Sequence, residues 1–354
     1  MPTKRSDLNG GTLKTTFGNL FLPLIITVYG LLFTVYAAPA AYGQTTSLSI
    51  WPPLLEVTIK PGTAITQVYR LKNMGDDTNI TARIVPFRPA DELGHVEVLP
   101  NEVSPTVSYF SLQNADLDLP ARFALAAGAT QELVLKIRVP ETAADADHSL
   151  TFLFDSDTEG LIGGSGSLSR AAIGANILLT VSRDGQPVRN AKIEEFRPSR
   201  RVLEGSLRGL SLLDSFDPIG FTLRVKNTSQ TKLKAVGSIT VTNMFGQSSA
   251  VLPLREDNIL AGSTRSLTSL EHTRCERNLH TGCVVGWNPL FPLGLYSATA
   301  QITPADTTNT VSATIKFLVL PYKALLALFL IINFYLFGRN FMRKSSLTEF
   351  FKKK

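Results

Sequence analysis

Apolar and polar residues alternate with a period of two in many short segments of this 354-residue chain. The alternation is clearest over residues 133–139, 221–225 and 296–302. A period of two places successive side chains on opposite faces, as in a β-strand with one buried face. Turn signals such as Lys60-Pro61-Gly62 separate the segments. The pattern therefore predicts an all-β fold of short strands arranged in antiparallel β-sandwiches.

A weak internal repeat indicates that there are two such sandwiches. The segment Tyr69-Arg70-Leu71-Lys72-Asn73 returns in type as Leu223-Arg224-Val225-Lys226-Asn227. In both copies a half-buried strand ends at Asn, which tolerates left-handed geometry and starts a turn. We predict immunoglobulin-like sandwiches at residues 46–186 and 187–317.

The alternating pattern stops near the C-terminus, where residues 324–337 carry no charge. Such a stretch approaches the roughly 20 apolar residues that span a bilayer, and backbone groups in lipid must bond within a helix. Tyr322 and Lys323 suit the headgroup level. Six Lys or Arg residues follow Gly338. We predict a transmembrane helix at residues 318–338 and, by the positive-inside rule, a basic cytoplasmic tail at 339–354.

The N-terminus predicts export. Cationic residues precede an apolar run over residues 20–38, and small residues follow it. This order is typical of a signal peptide, here residues 1–43, with cleavage after Ala40 or Gly43. Because the run is long, an uncleaved signal anchor is the alternative. Either version predicts a single-pass protein of the cell membrane whose residues 44–317 lie outside the cytoplasm.

The formal net charge of +6 belongs to these two ends of the chain. Ten of the 35 Lys and Arg residues lie there, against two of the 29 acids. The remainder is slightly acidic. A nucleic-acid partner would need a basic stripe on the folded part, so the composition argues against one.

The first predicted sandwich resembles a known bacterial surface family. The segments that carry the resemblance are Leu54-Leu55-Glu56-Val57, Lys60-Pro61-Gly62, 69–73, 109–112, 137–140 and 175–181. They resemble the N-terminal immunoglobulin-like domain of the WxL-interacting proteins. The order of signal peptide, two β-domains, membrane helix and basic tail is similar to that family's plan. The resemblance implies binding of cell-wall polymer and of other surface proteins.

Two cysteines offer the clearest candidate chemistry. Cys275 and Cys283 are the only cysteines, and an even count in an exported chain predicts a disulfide between them. The alternative is a metal site, because His272, Cys275, His280 and Cys283 are four legitimate zinc ligands. Their spacing is not that of a common zinc finger. We therefore predict a disulfide and no resident metal.

The other motifs favour structural roles. The glycine-rich residues 160–167 lack the Lys of a phosphate-binding loop, and Ser165 lacks the last glycine of a nucleophile elbow. Residues 155–160 resemble half of a calcium loop, but Gly166 stands where the twelfth ligand is needed. His95 and His148 are interpreted as solvated loop residues. The sequence predicts no catalytic residue and no cofactor.

These patterns together predict a binding protein rather than an enzyme. The expected role is a membrane-anchored, extracytoplasmic adhesion or binding protein that recognises a surface protein or a cell-envelope polymer. One alternative is a membrane-tethered assembly factor or chaperone that pairs its edge strand with exported subunits. A cell-wall hydrolase is a further alternative, although paired carboxylates with a recognisable signature are not evident.

Overall fold

The computed structural model describes residues 46–114, 118–157, 171–199, 210–271, 273–275 and 283–351. Within these ranges nearly all regular structure is β-strand, followed by one C-terminal helix, so the predicted all-β fold is confirmed. The predicted signal segment 1–43 and the glycine-rich residues 160–167 lie outside the described residues.

Within the described residues, ten strands and a short 3-10 helix at Pro105–Tyr109 build the first sandwich. The strands are β1 (Leu48–Trp51), β2 (Leu54–Ile59), β3 (Ala64–Asn73), β4 (Thr78–Pro89), β5 (Val96–Val98), β6 (Phe110–Leu112), β7 (Ala121–Leu125), β8 (Thr130–Arg138), β9 (Ala146–Asp157) and β10 (Ala172–Val181). One sheet has the order β1-β3-β8-β6. The facing sheet has the order β2-β10-β9-β4-β5, with β7 also paired to β4.

Eleven strands of the described chain build the second sandwich. They are β11 (Ala191–Pro198), β12 (Ser211–Asp214), β13 (Ile219–Asn227), β14 (Leu233–Asn243), β15 (Ser248–Pro253), β16 (Asp257–Ile259), β17 (Thr264–Ser266), β18 (Thr273–Cys275), β19 (Cys283–Trp287), β20 (Gly294–Pro304) and β21 (Val311–Leu320). One sheet has the order β11-β13-β19-β18, with β17 beside β13. The other has the order β12-β21-β20-β14-β15, with β16 beside β14.

Each sandwich encloses its own hydrophobic core. The first core draws on buried residues from Ile50 to Val181 and the second on residues from Leu213 to Val319. The alternating positions Leu133, Leu135 and Ile137 are buried, as the period of two predicted. Aromatic rings fill the centre of each core by edge-to-face and tilted contacts that suit the ring quadrupole.

Both sandwiches contain a parallel strand pair, which the prediction of purely antiparallel sheets missed. β2 runs parallel to β10, and β12 runs parallel to β21. In the first sandwich the cause is a change of sheet between β1 and β2. Pro52 and Pro53 interrupt the extended chain after Trp51, because proline lacks the N–H that a continuous ladder needs. The chain therefore leaves one sheet at Trp51 and joins the other at Leu54.

The repeated asparagine has the same structural role in both sandwiches. Asn73 and Asn227 are fully buried at the ends of β3 and β13. The Asn73 amide donates to the carbonyls of Asp76 and Leu125 at 2.7 and 3.1 Å. The Asn227 amide donates to the carbonyls of Thr231 and Ile259 at 2.8 and 2.9 Å.

The oxygen of each asparagine side chain accepts a backbone N–H two residues on, from Gly75 and from Ser229, both at 2.9 Å. One side chain thus closes its own turn and satisfies buried carbonyls of a neighbouring connection. A residue with both donors and acceptors is needed for this task, and Asn supplies them in a short side chain.

The C-terminal helix, α1, spans Tyr322–Phe351. It begins later than predicted, because Leu318, Val319 and Leu320 complete β21 instead of opening the helix. Their register with β20 explains this: Val319 pairs with Gly294 and is fully buried. An apolar run alone does not distinguish a buried strand from a membrane helix. The helix also continues beyond the predicted end at residue 338, into the basic tail.

Replacing either buried asparagine should destabilise its own sandwich. We expect Asn73→Ala or Asn227→Ala to lower the free energy of unfolding of the affected sandwich by roughly 2–4 kcal/mol, because buried carbonyls lose their donors. Denaturant unfolding followed by hydrogen exchange of peptides from each sandwich measures this.

The matched control is Asn243→Ala. Its side-chain oxygen accepts the N–H groups of Phe245 and Gln247, but in an exposed turn. Its replacement should cost less than about 1 kcal/mol, because water can substitute at an exposed site. Equal effects of the Asn73 and Asn243 replacements would contradict the role assigned to the buried amide.

Candidate functional site

A bidentate ion pair joins the two sandwiches. Glu92 lies in the connection between β4 and β5, and Arg224 lies on β13. The Arg224 Nε donates to Glu92 Oε2 at 2.6 Å, and Arg224 Nη2 bonds the other carboxylate oxygen. The N–H of Ser266 also donates to the Glu92 carbonyl at 2.8 Å. The hydrogen bond to Glu92 raises the pKa of Arg224, although partial burial opposes it.

A second acid of the first sandwich, Glu56 on β2, contacts three donors of the second. Its carboxylate accepts from Asn258 Nδ2 at 2.6 Å and lies 3.4 Å from Lys232 Nζ and 3.9 Å from Lys234 Nζ. Partial burial by itself would raise the pKa of Glu56. The hydrogen bond from Asn258 and the two ammonium groups outweigh that effect and lower the pKa. Glu56 is therefore held ionised at the interface.

Between these contacts lies an open cleft of about 310 Å³. Its walls come from both sandwiches and mix carboxylates with cations, among them Glu56, Asp91, Asp257, Lys234 and Arg265. The cations are engaged by carboxylates; Arg265 Nη2, for example, donates to Asp257 at 3.3 Å. The charged groups of the cleft are therefore largely paired with one another, and the contact of Lys234 with Glu56 crosses from one sandwich to the other.

The two histidines considered as chemical candidates have different partners. His95 is exposed at the cleft, and its Nδ1 lies 2.6 Å from Asp91 Oδ2, a contact that lowers the pKa of Asp91. His148 was interpreted as a solvated loop residue, which is wrong. It lies on β9, is half-buried, and contacts Thr106 Oγ1 at 3.1 Å. Burial lowers the pKa of His148, with Asp147 acting in the opposite direction.

The cysteines lie opposite each other in neighbouring strands. β18 pairs with β19 in antiparallel register, and Cys275 is the partner of Cys283. Directly opposed residues in such a pair have Cα atoms about 4.5–5.5 Å apart, within the range that a disulfide bridges. The disulfide itself stays a prediction. His272 and His280 of the alternative metal site lie outside the described residues. Among the described residues no cluster of potential metal ligands is found.

The first residues of the half calcium loop belong to a strand. Asp155 and Asp157, the first two acids of that loop, both lie in β9. Asp155 accepts a hydrogen bond from Arg83 Nε at 2.8 Å. Residues 158–170, which include Ser165, lie outside the described residues.

A free backbone edge lies at the start of β10. On one side β10 pairs with β9 along its whole length. On the other side β2 pairs only with residues from Asn176 to Val181. No strand in the described part of the chain is hydrogen-bonded to this side of Ala172, Ile173, Gly174 and Ala175.

Hydrogen-bond parity shows which backbone groups face this edge. The N–H of Asn176 donates to the Pro53 carbonyl at 2.9 Å, so residue 176 bonds on the β2 side. Backbone groups point to the same side at every second residue of a strand. The N–H and C=O of Ala172 and Gly174 therefore face the free side. We name residues 172–175 the β10 edge. Its outward N–H and C=O groups continue the row of β10 backbone groups that pair with β2.

Comparison with known proteins gives structural similarity only. No protein-family model matches the chain, and no curated protein matches it. A chain from a chaperone–tip adhesin complex of CFA/I fimbriae biogenesis is 10% identical, with a TM-score of 0.36, over 76% of this chain and 98% of that chain.

Two further solved structures are similar at the same low level. The CsuC–CsuE chaperone–tip subunit pre-assembly complex of Acinetobacter baumannii contains a chain that is 12% identical, with a TM-score of 0.31, over 77% of this chain and 99% of its own. The Escherichia coli chaperone DraB is 11% identical, with a TM-score of 0.32, over 77% and 95%. Such low values do not establish a shared function, so function has to be inferred from the residues described above.

The sequence indicated neither the ion-paired interface between the sandwiches nor the β10 edge. Glu92 and Arg224 are 132 positions apart, and neither stands in a recognisable motif. The β10 edge depends on where β2 begins, at Leu54 opposite Asn176, which the alternation of β10 does not encode. The change of sheet at Pro52-Pro53 is the one local signal that limits β2.

Removing the charge on Glu92 should loosen the contact between the two sandwiches. We expect Glu92→Gln to broaden the distribution of distances between spin labels placed at Val103 and Val251, one on each sandwich. A neutral amide cannot form the bidentate, charge-assisted pair with Arg224. Pulsed electron paramagnetic resonance on the full chain in detergent measures this.

The control variant is Glu97→Gln. Glu97 accepts from Arg88 Nε at 2.8 Å, a similar pair that lies entirely within the first sandwich. Its loss should leave the distance distribution unchanged. A Glu92→Gln chain with the same distribution as the unsubstituted chain would show that the ion pair does not fix the arrangement.

Proposed function

We propose that this chain is a membrane-anchored assembly factor that captures other exported polypeptides by strand addition at the β10 edge. The observation that carries the proposal is the row of backbone groups at Ala172 and Gly174 beside β9, with which no strand of the described residues pairs. An extended peptide that joins a sheet edge gains main-chain hydrogen bonds, and pockets for alternate side chains add specificity.

The side chains around this edge suit an apolar strand. Ile173 packs against the first core and Ala175 is buried in it, so this face of β10 continues into the interior. A partner strand placed alongside would extend the same sheet, and its own inward side chains would extend that face. Free apolar edges invite unwanted pairing and natural proteins usually cover or charge them. Ala172, Ile173, Gly174 and Ala175 carry no charge, which favours a functional edge.

The anchor of the proposed protein is α1. Tyr322–Arg339 is long and apolar enough to cross a bilayer, and none of it is buried. Side chains such as Ile331, Phe334 and Phe337 are exposed, and apolar residues lie all around the helix. A helix that is apolar on every side needs an apolar surrounding, which lipid provides. The cationic tail and the predicted N-terminal signal support an orientation with both sandwiches outside the cytoplasm.

The proposed role is binding without catalysis or a cofactor. Capture of exported subunits also suits the resemblance to WxL-interacting proteins, which implies surface-protein partners. Recognition of a wall polymer, the other partner class that the resemblance implies, has no specific support among the contacts described above. Membership of that family stays a prediction.

Blocking the β10 edge should abolish capture and leave the fold intact. We expect Ala172→Pro to remove the N–H that a partner strand would use, without breaking a bond to β9. Proline is tolerated where the N–H of an edge strand points outward. The full chain is purified from its own cell envelope in mild detergent. Co-purifying exported proteins are then quantified by mass spectrometry.

The matched control is Val251→Pro on β15, an edge strand of the second sandwich. The Leu254 N–H donates to Gly237 on β14, so by the same parity the Val251 N–H points outward. This variant should capture partners as the unsubstituted chain does. Equal recovery of exported proteins with Ala172→Pro, or recovery of a wall polymer alone, would overturn the proposal.

A further inference from the structure

The end of the second sandwich from which α1 leaves is formed by three connections. They join β12 to β13 (residues 215–218), β14 to β15 (244–247) and β19 to β20 (288–293). Strand register places all three at this end. Asp214 pairs with Leu320, and Gly294 pairs with Val319. Asn243 pairs with Tyr296, which in turn pairs with Phe317.

These three connections, named here the helix-side loops, expose large apolar side chains. Their exposed fractions run from 51% to 106% and belong to Phe216, Met244, Phe245, Leu290, Phe291 and Leu293. The rings of Phe216 and Phe291 lie 5.5 Å apart, so two of the loops contact each other. A concentrated apolar surface of this kind marks an interaction site.

The helix-side loops contain one charged residue, Asp217, and it is bonded to the start of α1. Lys323 Nζ donates to Asp217 Oδ2 at 2.6 Å. The backbone N–H of Lys323 donates to the buried Asp214 carboxylate at 3.0 Å. Two bonds therefore hold the first turn of α1 against the loop that carries Phe216.

The connection to the helix leaves no room for a stalk. β21 ends at Leu320 and α1 begins at Tyr322, so Pro321 alone lies between them. A helix rises about 1.5 Å per residue, so Tyr322 and Lys323 lie within a few ångströms of the last strand. Tyr and Lys at a helix end lie at the headgroup level. The helix-side loops around them are then at that level as well.

We infer that the helix-side loops insert into the interfacial layer of the leaflet that α1 enters, so that lipid is their partner. This inference rests on the membrane anchoring in the proposed function. Apolar side chains at an interface are buried about 5–10 Å into the headgroup and acyl boundary. Continuity with the helix favours lipid over a protein partner, which would have to bind within the headgroup layer.

Insertion would fix the second sandwich at several points as well as through α1. Lys323 fixes the angle between the helix and the sandwich, and three inserted loops around the helix would also restrict how far the two tilt together in the bilayer. The ion pair of Arg224 and Glu92 then passes the orientation on to the first sandwich. The β10 edge is consequently presented at a defined height above the bilayer.

Photo-crosslinking to lipid tests this inference on the full chain in nanodiscs of phosphatidylcholine and phosphatidylglycerol. The photoreactive residue p-benzoylphenylalanine replaces Phe245 or Leu290, whose side chains are highly exposed, so the fold does not depend on them. Phe329 in α1 is the positive control. Val103, exposed on the first sandwich, is the negative control. Lipid adducts are measured by intact mass.

We expect adducts at Phe245, Leu290 and Phe329 that exceed those at Val103 several-fold. Adducts at Phe329 without adducts at either loop position would overturn loop insertion and leave the anchor intact. Crosslinks from the loops to a protein in native membranes, with none to lipid, would also overturn it. Absence of adducts at Phe329 would refute the membrane anchor and the loop inference together.

Discussion

The arrangement of the two sandwiches depends on charge-assisted contacts between them, among which the pair between Glu92 and Arg224 is bidentate. Each sandwich encloses its own core, so burial of apolar surface does not determine how one lies on the other. Glu56 adds to the same interface by accepting from Asn258 and approaching two lysines. Domain interfaces of this polar kind usually permit movement. Here several acids of one sandwich meet donors of the other, which restricts it.

A second constraint is the single residue between β21 and α1. Pro321 cannot act as a flexible tether, and Asp214 and Asp217 bind the first turn of the helix. The orientation of the second sandwich is thus coupled to that of the helix. Together with the ion pair between the sandwiches, this coupling lets an anchored protein hold the β10 edge in one position. A binding edge that must meet partners emerging near the bilayer benefits from such a fixed position.

The strands could be predicted from the sequence because the alternation that specifies a strand is a property of neighbouring residues. The alternation at residues 133–139 and the repeated asparagine each follow from a few neighbouring residues, and both are as expected in the structure. The parallel pairs, the interface and the β10 edge were missed. They depend on contacts between residues far apart in the chain, such as Glu56 and Asn258. The boundary between β21 and α1 was misplaced because Leu318, Val319 and Leu320 are apolar in either structure.

Residue-resolved amide hydrogen exchange tests the central claim most directly, since it reads the backbone groups that would bind. In the free full chain, Ala172 and Gly174 should exchange fast, whereas Ile173 and Ala175, bonded to β9, should exchange slowly. In complexes isolated from the native envelope, the account predicts slow exchange at all four residues. Fast exchange at Ala172 and Gly174 in such complexes would contradict strand addition at the β10 edge.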